Sequence, residues 1–247
     1  MCTVTIVPKA DASGAFRMAC SRDEQHGRAP ANPPQQSDLT GTQILMPIDP
    51  ASDGTWVGVN AHGLALTLLN YNLIDPPSDR DQSRGSVIPQ LLSASTVDEV
   101  FALATSIDAD RMMPFRLVAC DGRSVMLWRS TEPIEQAEVL PWSGEPMMWT
   151  SSGLGDHLVE RPRRALFDDW FGDDASAHLA EQHDFHRHQW PGREHLSVCM
   201  QRDDARTVSY TLVDVDPTSV TMTYHPDRPD RDAPPHIASL QRQLTRR

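Results

Sequence analysis

From Thr3 to Val7 the chain alternates threonine with β-branched apolar residues, a period of two that predicts a strand. Asp11, Ser13 and Gly14 supply a turn, and residues 16–20 resume as a second strand, so the chain opens on a hairpin. Residues 25–53 are rich in Pro, Gln, Asn, Ser and Asp and read as a long surface loop holding one short strand near 44–46. Residues 54–60 and 64–70 predict two strands joined by Ala61-His62-Gly63, followed by a polar loop over 75–85. Helical patterning appears at 86–93 and 96–106, where Thr96 and Glu99 have capping-box spacing. A hairpin across Asp121-Gly122 is expected from 115–120 and 124–129, and Trp149-Thr150-Ser151 ends a further strand.

Residues 159–171 predict an amphipathic helix with Leu166, Phe167 and Trp170 turned to the core, stopped by Gly172. Arg161, Arg163 and Arg164 read as an exposed helix end. Residues 195–201, 207–215 and 219–224 complete the strands, and the Pro- and Asp-rich tail from His225 reads as peripheral. There is no internal repeat and no linker. The pattern predicts a single α+β domain over 1–247 built on antiparallel sheets.

Composition narrows the function. The 247 residues suffice for a sizeable core, and 22 Lys+Arg against 34 Asp+Glu give a net charge of −12. Such a surface disfavours nucleic acid and anionic membranes as partners. No apolar run approaches transmembrane length, and the first residues lack the pattern of a secretory signal. Cys2, Cys20, Cys120 and Cys199 are scattered with no CxxC, which fits a reducing, cytoplasmic setting. Cys2 and Cys20 can approach across the first hairpin, but a stable bridge there would silence Cys2.

The second residue carries the main chemical expectation. Cysteine is small enough for methionine aminopeptidase to remove Met1, leaving a thiol and a free α-amine on one residue. The thiolate is a strong nucleophile and the amine a candidate general base. Antiparallel pairing sets the start of the first strand against the end of the second. Arg22 and Asp23 are therefore expected near the sulfur and nitrogen of Cys2. His183, His186, His188 and His195 form the one histidine-rich region. Its surroundings read as a surface loop, and no cysteine or carboxylate pair completes a tetrahedral set, so no metal or cofactor is expected.

Met1-Cys2, Arg22-Asp23-Glu24, Gly54-Thr55-Trp56-Val57-Gly58, Leu69-Asn70-Tyr71 and Arg84-Gly85 occur in an order that resembles the NRDE family. Weaker similarity runs on through Glu160-Arg161-Pro162-Arg163, Val198-Cys199 and Thr211-Leu212-Val213-Asp214. That family, which is of the transport and Golgi organisation protein 2 type, resembles a branch of the N-terminal nucleophile hydrolases. The resemblance implies a four-layer α-β-β-α sandwich with the nucleophile at the start of an inner strand. It also implies cleavage of a small non-peptide amide, or a thioester, through a Cys2 acyl-enzyme, as in penicillin V acylase and bile salt hydrolase.

In that scheme Arg22 favours the thiolate, Asp23 orients the amine and Asn70 contributes to the oxyanion hole. A late arginine assists, with Arg206 the first candidate and Arg202 close behind. Two positions depart from the pattern. Ser21 stands where the name-giving motif begins with Asn, and Thr150-Ser151-Ser152 stands where cysteine acylases carry a second Asn. The same resemblance offers an alternative: a non-catalytic carrier on this scaffold, handling haem or an acyl lipid.

Overall fold

The computed structural model describes residues 2–10, 13–72, 80–171 and 178–243. The stop expected at Gly172 and residues 75–79 of the loop expected over 75–85 lie outside the described residues. Among the described residues thirteen strands form two antiparallel sheets. They are β1 (Cys2–Pro8), β2 (Phe16–Gln25), β3 (Asn32–Leu39), β4 (Thr42–Ile48), β5 (Val57–Asn60), β6 (Ala65–Asn70), β7 (Phe115–Cys120), β8 (Ser124–Arg129), β9 (Glu138–Pro141), β10 (Met147–Thr150), β11 (Ala205–Val215), β12 (Ser219–His225) and β13 (His236–Gln241). Sheet A runs β10-β1-β2-β11-β12-β13, and sheet B runs β3-β4-β5-β6-β7-β8-β9. The helices are α1 (Val87–Leu91), α2 (Val97–Ala104), α3 (Asp156–Trp170) and α4 (His178–Arg187).

The layering follows from which strands have both faces buried. In β1 the even residues Cys2, Val4 and Ile6 enter the core between the sheets, with Phe16, Met18 and Cys20 of β2 and Val57, Val59, Ala65 and Leu69 of sheet B. The odd residues Thr3 and Thr5 are equally buried, but beneath α3 and α4. On the far side of sheet B, Leu64, Leu66 and Leu117 pack under Val87, Ile88 and Leu91 of α1 and Val97 and Val100 of α2. The result is the four-layer α-β-β-α sandwich. Thr96 caps α2 by accepting from the Glu99 N–H, while the Glu99 carboxylate accepts from the Ser95 N–H.

Four expectations change. The loop read over 25–53 contains the hairpin β3-β4, turned at Thr40 and Gly41 with φ of 52° and 87°. Its Pro33 and Pro34 obscured the first strand, but β3 is an edge strand, where a missing N–H is tolerated. Residues 195–201 hold a short 3-10 turn at Glu194–Leu196 instead of a strand. Leu196 and Ser197 give their carbonyls to the Arg163 guanidinium at 2.9 and 2.6 Å. The histidine-rich segment includes a helix, α4, rather than a loop throughout. Past His225, β13 takes the outer edge of sheet A, with Leu240 buried against the inter-sheet core.

Candidate active site

The β1-β2 register pairs Cys2 with Arg22, so the end of the second strand faces the start of the first. Cys2, Arg22, Asp23 and Asn70 all line one cleft of about 130 Å³ at the end of the sandwich. Arg206 does not line it. Its guanidinium binds Asp227 at 2.6 Å, and Arg202 binds Asp204 at 2.7 Å.

Cys2 is 4% exposed. The Cys20 thiol, on the same inter-sheet face of β2, donates to the Cys2 sulfur and is the largest influence lowering the Cys2 thiol to about 7. Burial and Asp23 oppose that shift, and Arg22 aids it least. The complementary effect pushes Cys20 well up, because donating to Cys2 holds its proton and burial adds to this. Cys2 N–H donates to Ser151 Oγ at 3.1 Å, and Ser151 N–H returns a bond to the Cys2 carbonyl at 2.9 Å. Ser151 thus meets the Cys2 nitrogen from the stretch where a second Asn had been sought.

Arg22 is buried and committed. It donates to Asp49 at 2.6 Å, approaches Glu24 at 3.4 Å and lies over the Trp56 ring at 4.3 Å. Arg28 donates to the same Asp49 oxygen through Nε and Nη2 at 3.0 and 2.8 Å. Burial disfavours the Asp49 charge, but the Arg28 bonds, the Ala51 N–H and Arg22 together hold its carboxyl below the usual range. Sequence reading missed Asp49, which lies in the segment taken for a loop.

Strand alternation sends Asp23 to the other face of sheet A from Arg22. Thr207 Oγ1 donates to Asp23 at 2.7 Å, from a bulge in β11 between Thr207 and Ser209. Burial raises the Asp23 pKa even though Arg163, Thr207 and Arg202 counter it.

Arg163 was expected at an exposed helix end and is 1% exposed. From α3 it donates to Thr3 Oγ1 at 2.9 Å and Thr150 Oγ1 at 2.6 Å, clamping β1 to β10 directly behind Cys2. Ser21 faces this same outer layer and bonds His186 Nδ1 at 2.7 Å, while His186 Nε2 meets Thr5 Oγ1 at 2.9 Å. Serine in place of the motif's first Asn therefore serves the α4 contact. Burial lowers His186 to about 3, so the ring is neutral. His183 is bonded to Arg187, and His188 stacks edge-on against Trp170 and Trp190. Among the described residues no three His, Cys, Asp or Glu side chains cluster as metal ligands would.

Two further ties fix the rim. Asp156 accepts from Arg116 at 2.9 Å, from Ser152 N–H at 2.8 Å and from Asn72 N–H at 3.1 Å, joining α3 to sheet B. The Asn70 carboxamide makes no hydrogen bond to a described residue. On the opposite rim Gly54 and Gly85 meet backbone to backbone. A Cβ on Gly54 would lie 2.6 Å from Gly85 Cα, and Thr55 N–H donates to Gly85 O at 3.1 Å. That contact sets Arg84 beside the cleft.

The family model for Transport and Golgi organisation 2 matches residues 1–170. No curated protein sequence matches the chain. Among solved structures, a cysteine-to-alanine variant of the conjugated bile acid hydrolase from Clostridium perfringens superposes with a TM-score of 0.51 at 13% identity, covering 98% of this chain and 92% of that one. An arginine-to-leucine variant of the same enzyme gives 0.51 at 13% identity, covering 99% of each chain. A Caenorhabditis elegans N-acylethanolamine-hydrolyzing acid amidase ortholog gives 0.48 at 12% identity, covering 85% and 91%.

Proposed function

Because this chain belongs to the Transport and Golgi organisation 2 family, with an N-terminal nucleophile hydrolase fold, we propose that it is a cysteine hydrolase of small non-peptide amides or thioesters. Loss of Met1 frees the Cys2 amine. The sulfur attacks the substrate carbonyl, and the amine takes the thiol proton and later gives it to the departing amine or thiol. Water then attacks the acyl-enzyme and releases the acid. Ser151 and Asp23 hold the amine, and Arg22 and the Cys20 thiol favour the thiolate. Asn70, whose carboxamide is uncommitted, turns a donor to the oxyanion, a contact worth about 3 kcal/mol in the transition state. The cytoplasmic setting is part of the same proposal.

The observation that carries this reading is the Cys2–Arg22 register in a cleft where the thiol is lowered to about 7. The test is intact mass together with turnover of a panel of N-acyl amides and acyl thioesters. The expected results are complete loss of Met1 and hydrolysis that falls at least about 1000-fold in Cys2→Ala. Retention of Met1 on the purified protein would end the amine-base mechanism.

One observation favours a second reading, a carrier of haem or an acyl lipid without turnover: the nucleophile is 4% exposed. A haem titration followed by absorbance, in wild type and Cys2→Ala, separates the two. No spectral change at micromolar haem removes the haem version.

A further inference from the structure

Three arginines line the cleft, and two of them are already satisfied. Arg22 and Arg28 converge on Asp49. Arg84 differs. Its guanidinium donates from Nη1 to the Pro114 carbonyl at 3.1 Å, and it makes no ion pair with a described residue. A guanidinium has five N–H donors in a fixed fork, so most of that fork is left for something else. The nearby Glu24 does not take it: Glu24 accepts from Gln25 N–H at 3.0 Å and lies 3.4 Å from Arg22.

The backbone beneath Arg84 is held firmly. Ser83 Oγ accepts from Gly85 N–H at 3.2 Å, Ser83 O accepts from Ser86 Oγ at 2.8 Å, and the Gly54–Gly85 contact leaves no room for a shift. A half-buried, positioned cation with no ion-paired partner among the described residues raises the energy of the empty cleft, and a ligand anion relieves that. Burial lowers the Arg84 pKa, and Cys2 and Glu24 pull it back.

We infer that Arg84 is an anion subsite, receiving a carboxylate or phosphate carried by the molecule whose carbonyl is presented to Cys2. The inference rests on the hydrolase reading of the cleft and narrows its substrates to acidic amides or thioesters. The fork geometry matches both anions bidentately.

The test needs a thiolate but no turnover, so it can succeed or fail independently of the hydrolase reading. Iodoacetate and iodoacetamide have the same reacting carbon and differ in the charge of the other end. In each case the Cys2 thiolate displaces iodide and forms a thioether, located by peptide mass. The measured quantity is the ratio of the two alkylation rates at Cys2 in the full chain, divided by the same ratio for glutathione. Changes in thiol pKa cancel in this quotient. The expected quotient is about tenfold above unity in wild type. It falls to near unity in Arg84→Gln and is partly kept in Arg84→Lys, while the iodoacetamide rate moves little.

Acetate and inorganic phosphate are then added as competitors. Whichever slows iodoacetate at the lower concentration identifies the anion class. A wild-type quotient at or below unity overturns the proposal without need of any variant. So does an elevated quotient that Arg84→Gln leaves intact.

Discussion

The two helical layers of the sandwich are built from opposite materials. Over sheet B, α1 and α2 close an apolar layer of Leu64, Leu66, Val87, Ile88, Leu91 and Val97. Over sheet A, α3 and α4 present Arg163, Gln182 and His186 to Thr3, Thr5, Ser21 and Thr150, with only a small apolar cluster around Phe167 and Phe185. Apolar packing tolerates small shifts, whereas buried hydrogen bonds fix atoms to within a few tenths of an ångström and are costly when broken. The specified layer is the one behind the strand that begins at Cys2. The helices that merely cover the fold lie on the sheet that does not carry Cys2.

The contrast can be broken most sharply at Arg163. Arg163→Met leaves Thr3, Thr150, Leu196 and Ser197 without their donor. The expected cost is about 3–5 kcal/mol in urea denaturation, accompanied by slower Cys2 alkylation as β1 loosens. If stability is unchanged, the polar layer is not what holds β1.

Leu91→Ala probes the other layer. It should cost about 3 kcal/mol through cavity formation while leaving the pH profile of Cys2 alkylation where it was. A shift of that profile would mean that the two layers are not independent.

His186 gives the polar layer a pH signature. Its folded pKa of about 3 lies below the ordinary 6.5, so between those values the unfolded chain binds the extra proton. Stability is therefore lost as pH falls from 6.5 toward 3. At pH 5 this share amounts to about 2 kcal/mol, and His186→Gln should remove it from the pH dependence of urea midpoints. An identical slope in the variant would show that His186 is not buried in the neutral form.

The smallest expected effect is on the inner face of sheet A. Cys20→Ala removes the thiol that donates to Cys2. The midpoint of Cys2 alkylation against pH should rise from about 7 by roughly one unit, about 1.4 kcal/mol. Cys199, pushed up to about 12 chiefly by burial, should stay unlabelled throughout the neutral range.

Legibility followed the same division. The strands β1, β2, β6, β7 and β8 were readable because each alternates or runs apolar between clear turns, and the pairing of Cys2 with Arg22 could be inferred from antiparallel geometry alone. The hairpin β3-β4 was hidden by prolines that matter little at an edge. Arg163 read as a solvated helix end because an arginine's destination depends on acceptors about 13 to 160 residues away in sequence, at Thr150 and Thr3. Asp49 and Arg84 lie in polar, Pro-containing stretches that resemble ordinary loops until Asp49 meets Arg22 and Gly54 meets Gly85.

By itself the sequence determined the alternating strands, the sheet-forming hairpins and the approach of Cys2 to Arg22 and Asp23, because these depend on local period and on the pairing of neighbouring strands. Tertiary structure alone decided that Arg22 would be committed to Asp49, that Ser151 would hold the Cys2 nitrogen, that Arg206 would turn away to Asp227 and that Arg84 would reach the cleft. Those outcomes depend on which charges and donors meet across distant segments. A chain's one-dimensional pattern does not encode such meetings in any single window.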